Sequence, residues 1–335
     1  MEIITMRAVV CHKFGTIADL SLERVASPSM GEEDVRIQVR ASGVSFATGL
    51  VIAGKYQRKP PLPFTPGTEV AGEIIEVGTR VKQFRPGEHV FASIDWGGWA
   101  EEVVSKSFLT HAIPDGLSYE SAALLPISYP TSYAALIWKA KLRREEWVLV
   151  HGASGAVGLA AVEIAKAKGA RVIATASTAE KLELATAHGA DFTINYDDLR
   201  NSVNEITKGH GADVVFDPVG GDIFVESLRS TAREGRLITV GYASGVIPKP
   251  AINLLLVKNM SILGLNYGTY IGWSPDDDGR AYLKENRAMH EDLRSMIEIG
   301  KLRPIAKMKF PLEEFVDAYQ TVQSRQSLGK VILEP

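Results

Sequence analysis

Along the chain, the spacing of apolar positions changes character partway. From Arg7 to about Ser107, short β-type runs such as Val35-Arg36-Ile37-Gln38-Val39 and Gly72-Glu73-Ile74-Ile75-Glu76-Val77-Gly78 are separated by Gly and Pro. That pattern predicts an antiparallel barrel or sandwich. Trp147-Val148-Leu149-Val150 then opens an alternation of strand-like and helix-like segments. Further strands are expected at Arg171 to Thr175, Phe192 to Asn195, Asp213 to Phe216, Leu237 to Val240 and Ile262 to Leu265. Strands alternating with helices imply βαβ units and a parallel sheet. Between the first two, Val157, Ala160, Ala161 and Ile164 recur at helical spacing, and Gly169 stands where a helix would end. After about Thr269 the alternation stops. Met289, Leu293, Met296 and Ile297, then Phe315, Ala318, Tyr319 and Val322, mark two amphipathic helices before a last apolar run, Val331-Ile332-Leu333. The run Asp276-Asp277-Asp278, between Pro275 and Gly279, reads as a solvated loop rather than a metal site.

A length of 335 residues is long for one core and predicts two domains. The hydrophobic share of 45% and charged share of 23% are those of a globular protein. A formal net charge of −3 gives no electrostatic reason to expect nucleic acid or an anionic membrane as the main partner. Cys11 is the single cysteine, which excludes an intrachain disulfide and a cysteine-rich zinc site. Met1 to Gly15 lacks the pattern of a secretory signal, and no apolar stretch approaches the roughly 18 residues of a membrane span, so a cytoplasmic location is expected.

The most informative stretch follows the strand ending at His151. Gly152-Ala153-Ser154-Gly155-Ala156-Val157-Gly158 runs directly into the expected helix. Strand, glycine turn and helix occur in the order a phosphate clamp requires: small residues let the backbone approach a pyrophosphate, whose charge meets N–H groups and the helix dipole. Gly158 would serve close helix-to-strand packing, while Ala153 stands where the first glycine of the fingerprint is usual. A tight turn that binds nothing is the alternative. At the end of the second strand, a carboxylate would bind a ribose 2′-hydroxyl and repel a 2′-phosphate. Here Ala174-Thr175-Ala176-Ser177-Thr178 carries none before Glu180, and Ser177 and Lys181 offer a hydroxyl and a cation. NADPH is therefore expected over NADH.

Several stretches together resemble the quinone oxidoreductases, the zinc-free, zeta-crystallin-like members of the medium-chain dehydrogenase/reductase superfamily. They are Gly43-Val44-Ser45-Phe46, Gly54-Lys55-Tyr56, Pro66-Gly67-Thr68-Glu69-Val70-Ala71-Gly72, Gly97-Gly98-Trp99-Ala100-Glu101, the glycine turn, Ile194-Asn195-Tyr196 and Gly329-Lys330-Val331. The resemblance implies an α/β protein: a GroES-like antiparallel β-barrel domain over 1–128, to which 269–335 returns, and a Rossmann domain with a doubly wound parallel sheet over 129–268. It also implies a homodimer, with Met260 to Leu265 as the candidate edge strand to pair across a twofold axis. By position, Thr131 would lie near the nicotinamide, Lys181 and Tyr196 at the 2′-phosphate, and Gly241 beside the cofactor, with Asn266 and Lys330 completing the cofactor-binding set.

Zinc-dependent relatives carry a cysteine at the Ser45 position and a histidine at Thr68, so zinc chemistry is not expected. None of the seven histidines forms a metal-like pair at i,i+3 or i,i+4. Quinone reductases commonly place asparagine at Ser45, aspartate at Thr48 and, in some members, tyrosine at Leu50. A polar cluster near the nicotinamide is thus absent. Without zinc, developing negative charge must be met by hydrogen-bond donors, for which Tyr56, Thr131 and Ser45 are the candidates. Hydride transfer to a quinone is the first expectation. Reduction of an activated C=C bond in an enone or 2-enoyl thioester is the second, with Tyr56 as proton donor. A nonenzymatic NADPH-binding or structural role is the third. Ile94, Trp96, Tyr129, Asn266 and Tyr270 are the guessed lining of the acceptor site.

Overall fold

The computed structural model describes residues 5–273 and 279–335, so the acidic run Asp276-Asp277-Asp278 lies outside the described residues. The chain divides into two compact units, Met1–Ile127 with Gly268–Arg287 and Pro304–Pro335, and Ser128–Tyr267 with Ala288–Arg303.

In the first unit, β1 (Thr5–Val10) and β2 (Ser21–Ala26) form an antiparallel ribbon. β3 (Asp34–Val44), helix α1 (Phe46–Ile52), β4 (Glu69–Val77), β5 (His89–Ser93), β6 (Glu102–Lys106), β7 (Thr110–Ala112) and α2 (Tyr119–Ala122) follow. The second unit opens with α3 (Ser128–Tyr133), which runs on as a π-helical segment, Ala134–Lys139. It then alternates through β8 (Trp147–Val150), α4 (Ala156–Ala167), β9 (Arg171–Thr175), α5 (Ala179–Ala187), β10 (Phe192–Ile194), α6 (Leu199–Ile206), β11 (Ala212–Asp217), α7 (Gly221–Ser230), β12 (Thr231–Thr239), α8 (Asn253–Lys258) and β13 (Ser261–Gly264). Helix α9 (Leu283–Glu298) is divided between the units, and β14 (Met308–Pro311), α10 (Phe315–Gln323) and β15 (Val331–Glu334) belong to the first.

Seven strands make the main sheet of the first unit, in the order β14-β15-β3-β4-β5-β7 with β6 paired to β3. The pairings are antiparallel except β14 with β15, which are parallel. That exception follows from α10 lying between them in sequence, because a parallel pair needs a crossover rather than a tight turn. Alternate residues of β3, Val35, Ile37 and Val39, pack with Ile74, Val90 and Val103. A second cluster joins Val9, Trp99, Phe315, Tyr319 and Leu333.

The six strands of the second unit are all parallel, in the order β10-β9-β8-β11-β12-β13. This is a doubly wound sheet whose direction of winding reverses at β8, and the carboxyl ends of β8 and its neighbours border the switch point where such sheets bind ligands. Val148 to Val150, Val172 to Ala174 and Val214 to Phe216 are fully buried, because helices cover both faces of a parallel sheet. Among the described residues, no helix is long and apolar enough to cross a membrane.

Candidate functional site

At the end of β8, His151 is fully buried, with Nδ1 2.8 Å from the Thr175 hydroxyl and Nε2 2.7 Å from the Ser227 hydroxyl. Ser227 also donates to Ile223 O at 2.6 Å and Thr175 to Val150 O at 3.3 Å, so both hydroxyls are anchored to backbone carbonyls as well as to the ring. Burial pushes the imidazole down to about 3, so it is a neutral tie between β8, β9 and α7.

The turn follows. Gly152 takes φ 56°, a left-handed conformation that favours glycine. Ala153 N donates to Thr175 O at 3.0 Å, and Gly155 N donates to Gly152 O at 2.9 Å. Ala153 and Ser154 are buried, while Gly155, Ala156 and Val157 remain partly exposed. Gly158 packs so tightly that a Cβ there would lie 2.1 Å from Gly152 O. Gly155 caps α4 without a side-chain acceptor, whereas α1 and α5 are capped by Ser45 and Thr178. The leading N–H groups of α4 therefore lack a side-chain partner and suit an anion at the positive end of the helix dipole.

Tyr196 joins this turn. Its hydroxyl accepts from Gly152 N at 3.0 Å and donates to Thr175 O at 3.4 Å, and burial raises its pKa. Ser177 is exposed just past the end of β9, and Lys181, in the first turn of α5, gives its backbone N–H to the Thr178 cap. Gly241 is partly buried after β12, with room for a Cβ 3.5 Å from Pro218 O. Asn266 is exposed beyond β13.

Thr131 is 8% exposed on α3. Two residues earlier, Tyr129 is buried and donates to Glu163 Oε2 at 2.6 Å, so it forms an internal tie instead of lining an open site. Glu163 Oε2 also accepts from Arg303 N, and Oε1 lies 2.5 Å from His188 Nδ1. With Ser132 donating to Val157 O at 2.6 Å, α3 is fastened to the start of α4. Neither Glu163 nor Asp217 was among the sequence candidates. Asp217, buried at the end of β11, accepts from Val219 N and Gly220 N through Oδ1, and its Oδ2 has no hydrogen-bond partner among the described residues. The lone carboxylate in the apolar run of α4, and the rule that draws attention to strand ends, are the signals that could have found them.

The remaining candidates lie in the first unit. Ser45 caps α1, accepting from Thr48 N at 3.3 Å, and its hydroxyl lies 3.0 Å from that of Thr48. Tyr56 N donates to Leu50 O, which fixes its backbone in the turn after α1. Burial raises the Tyr56 pKa. Its hydroxyl makes no hydrogen bond among the described residues. Lys330 is buried, and its ammonium pairs with Glu69 Oε1, while Glu69 Oε2 has no hydrogen-bond partner among the described residues. Ile94 and Trp96 border an open cavity with Arg58, whose guanidinium lies 4.9 Å over the Trp96 ring. Tyr270 packs edge-on against Tyr282. Among the described residues, no group of three His, Cys, Asp or Glu side chains is placed to hold a metal.

Residues 31–115 match the family model described as the alcohol dehydrogenase GroES-like domain, and residues 156–281 match that of the zinc-binding dehydrogenases. The quinone oxidoreductase-like protein 2 homolog of Nematostella vectensis is 39% identical, over 98% of this chain and 88% of that protein. The structure of Escherichia coli quinone oxidoreductase complexed with NADPH superimposes with a TM-score of 0.87 at 28% identity, covering 98% of this chain and 100% of that one. The CurK enoyl reductase superimposes with a TM-score of 0.86 at 25% identity, covering 98% and 99%.

Proposed function

Because the chain belongs to the quinone oxidoreductases of the medium-chain dehydrogenase/reductase superfamily, we propose that it is an NADPH-dependent reductase that delivers hydride to a quinone without zinc. The observation that carries the reading is the glycine turn between β8 and α4, with its uncapped helix start and the Gly158 packing that holds it close to the strand. When bound, the dihydronicotinamide supplies the hydride. Residues 152–158 would hold the pyrophosphate. Ser177, Lys181 and Tyr196 would meet the 2′-phosphate, since Thr175 to Ser177 offer no carboxylate to repel it. Thr131, fastened through α3 to the start of α4, would position the nicotinamide, with Gly241 and Asn266 bordering the cofactor. Lys330, expected in the cofactor-binding set, has its charge turned to Glu69 and is left out of this proposal. Zinc independence is supported by Ser45 and Thr68, whose hydroxyls are poor zinc ligands beside thiolate and imidazole.

One observation favours a second reading, reduction of an activated C=C bond. The Tyr56 hydroxyl has no partner among the described residues, and its raised pKa keeps it protonated, as a donor to the α carbon must be. The Ser45 hydroxyl, by contrast, is engaged with Thr48. NADPH oxidation with an ortho-quinone and with crotonyl-CoA as parallel acceptors, after treatment with a chelator, separates the readings. Turnover of the quinone alone supports the first. Turnover of crotonyl-CoA supports the second, and then Tyr56→Phe is expected to lower kcat/KM by about 10²-fold or more, whereas a change within about twofold refutes the donor role.

The protein is also proposed to be a homodimer. β13 ends the parallel sheet, and apolar residues cluster in the adjoining sequence: Ile247 is 70% exposed, Ile252 62%, Leu256 81% and Val257 60%. Light scattering at micromolar concentration checks this, and a monomer refutes it.

A further inference from the structure

Asp217 ends β11, next to the strand that feeds the glycine turn. A Cβ at Gly152 would meet Val219 and Pro218 at 3.5 and 3.6 Å, so the segment following Asp217 lies directly against the turn. The carboxyl is fully buried, and among the described residues one of its oxygens is bonded: Oδ1 accepts from Val219 N at 2.7 Å and Gly220 N at 3.0 Å, while Oδ2 is buried with no hydrogen-bond partner.

Among the described residues, the surroundings supply no compensating cation. β8 contributes His151, which is neutral, and the segment after β10 contributes Tyr196, whose hydroxyl feels the Asp217 charge. β12 places uncharged Thr239 opposite, and the turn into α7 contributes the Val219 and Gly220 N–H groups, with Asp222 the acidic residue in its first turn. Among the described residues, no ion pair includes Asp217. A buried carboxylate so placed has its pKa raised by burial. Bringing the two negative charges of a pyrophosphate onto the neighbouring turn disfavours the ionised form further, because charges interact strongly where water is excluded.

We propose that Asp217 makes dinucleotide binding proton-linked: the carboxylate takes a proton from solvent as the pyrophosphate settles on residues 152–158. This rests on the reading of that turn as a dinucleotide site. The linkage has a definite sign. Affinity is highest below the titration range of Asp217 in the free protein. It weakens as pH rises through that range, by up to about tenfold per pH unit, and levels off above the value reached in the complex.

The test uses ADP-ribose, which carries the pyrophosphate but no 2′-phosphate to titrate in the same range. Calorimetry between about pH 5.5 and pH 8, in buffers of differing ionisation enthalpy, reads proton uptake on the wild-type protein directly. Uptake approaching one proton, with Kd rising with pH, is expected. Asp217→Asn keeps an oxygen for Val219 N and Gly220 N, and is expected to bind with no uptake and a flat pH profile. Wild-type binding without uptake, or uptake that survives in Asp217→Asn, overturns the inference while the dinucleotide reading stands. Failure of the wild-type protein to bind ADP-ribose, NADPH or NADH overturns both.

Discussion

Substituting Gly158 by alanine tests whether the close packing of α4 on β8 is what shapes the turn. The added Cβ would sit 2.1 Å from Gly152 O and 2.7 Å from Gly152 C, so the backbone must open by at least about 0.9 Å to reach the shortest contact real Cβ atoms make. The displaced carbonyl is the one that accepts from Gly155 N at 2.9 Å, so the strain passes straight to the phosphate-facing residues. Overpacking of this kind costs about 1–3 kcal/mol, and at roughly 2–4 °C per kcal/mol the melting temperature of Gly158→Ala should fall by about 2–12 °C. A misplaced turn should also weaken NADPH binding, followed by nucleotide fluorescence, by about ten- to a hundredfold. Gly155→Ala is the control. Its Cβ would have Gly152 O as nearest neighbour at 3.4 Å, an ordinary contact, and its φ is −79°. It should cost less than about 1 kcal/mol of stability yet still weaken NADPH, because the methyl would stand where the pyrophosphate approaches. A Gly158→Ala protein that melts within about 1 °C of wild type and binds NADPH within about twofold would refute the reasoning.

Tyr196→Phe leaves Gly152 N–H without its acceptor and should destabilise the fold by about 1–2 kcal/mol in urea titrations, with a parallel loss of NADPH affinity. For His151, the folded value of about 3 lies below the ordinary 6.5, so the unfolded chain binds the extra proton. Its contribution is complete above pH 6.5 and lost as pH falls toward about 3, and His151→Asn should flatten stability against pH across that window. Lys330→Met strands the Glu69 carboxylate in the interior and should cost about 3–5 kcal/mol in urea, much of it restored by adding Glu69→Gln.

The parallel sheet was legible because its strands are buried on both faces and read as continuous apolar runs: β8 and β9 fall at the expected residues. β12 begins at Thr231, well before the expected Leu237, because Thr231 to Arg236 is polar and its register against β11 shifts between Ala212 and Val214. β14 was not expected, for a related reason. Its residues alternate between partial burial and exposure with none fully buried, which weakens the period-two signal. In the candidate site, the turn announced itself through glycine, whose conformational role is local. Glu163 and Asp217 did not, because whether a carboxylate is buried, and whether its oxygens find partners, depends on chain segments far away, such as Arg303 and His188 for Glu163.

The order of strands in the first unit also bears on how the polypeptide emerges from the ribosome. β15 pairs with β3 from Ser42 to Val44, but it is synthesised roughly 290 residues later, on the order of 15–60 s at ordinary elongation rates. During that interval Ser42 to Val44 of β3 wait unpaired on the edge whose other end, Asp34 to Gln38, already pairs with β6, and an open edge segment can recruit other chains. All six strands of the parallel sheet are translated within that delay. The nascent chain is therefore expected to complete its second unit first, and chaperone dependence should concentrate on the stretch that waits for its last strand.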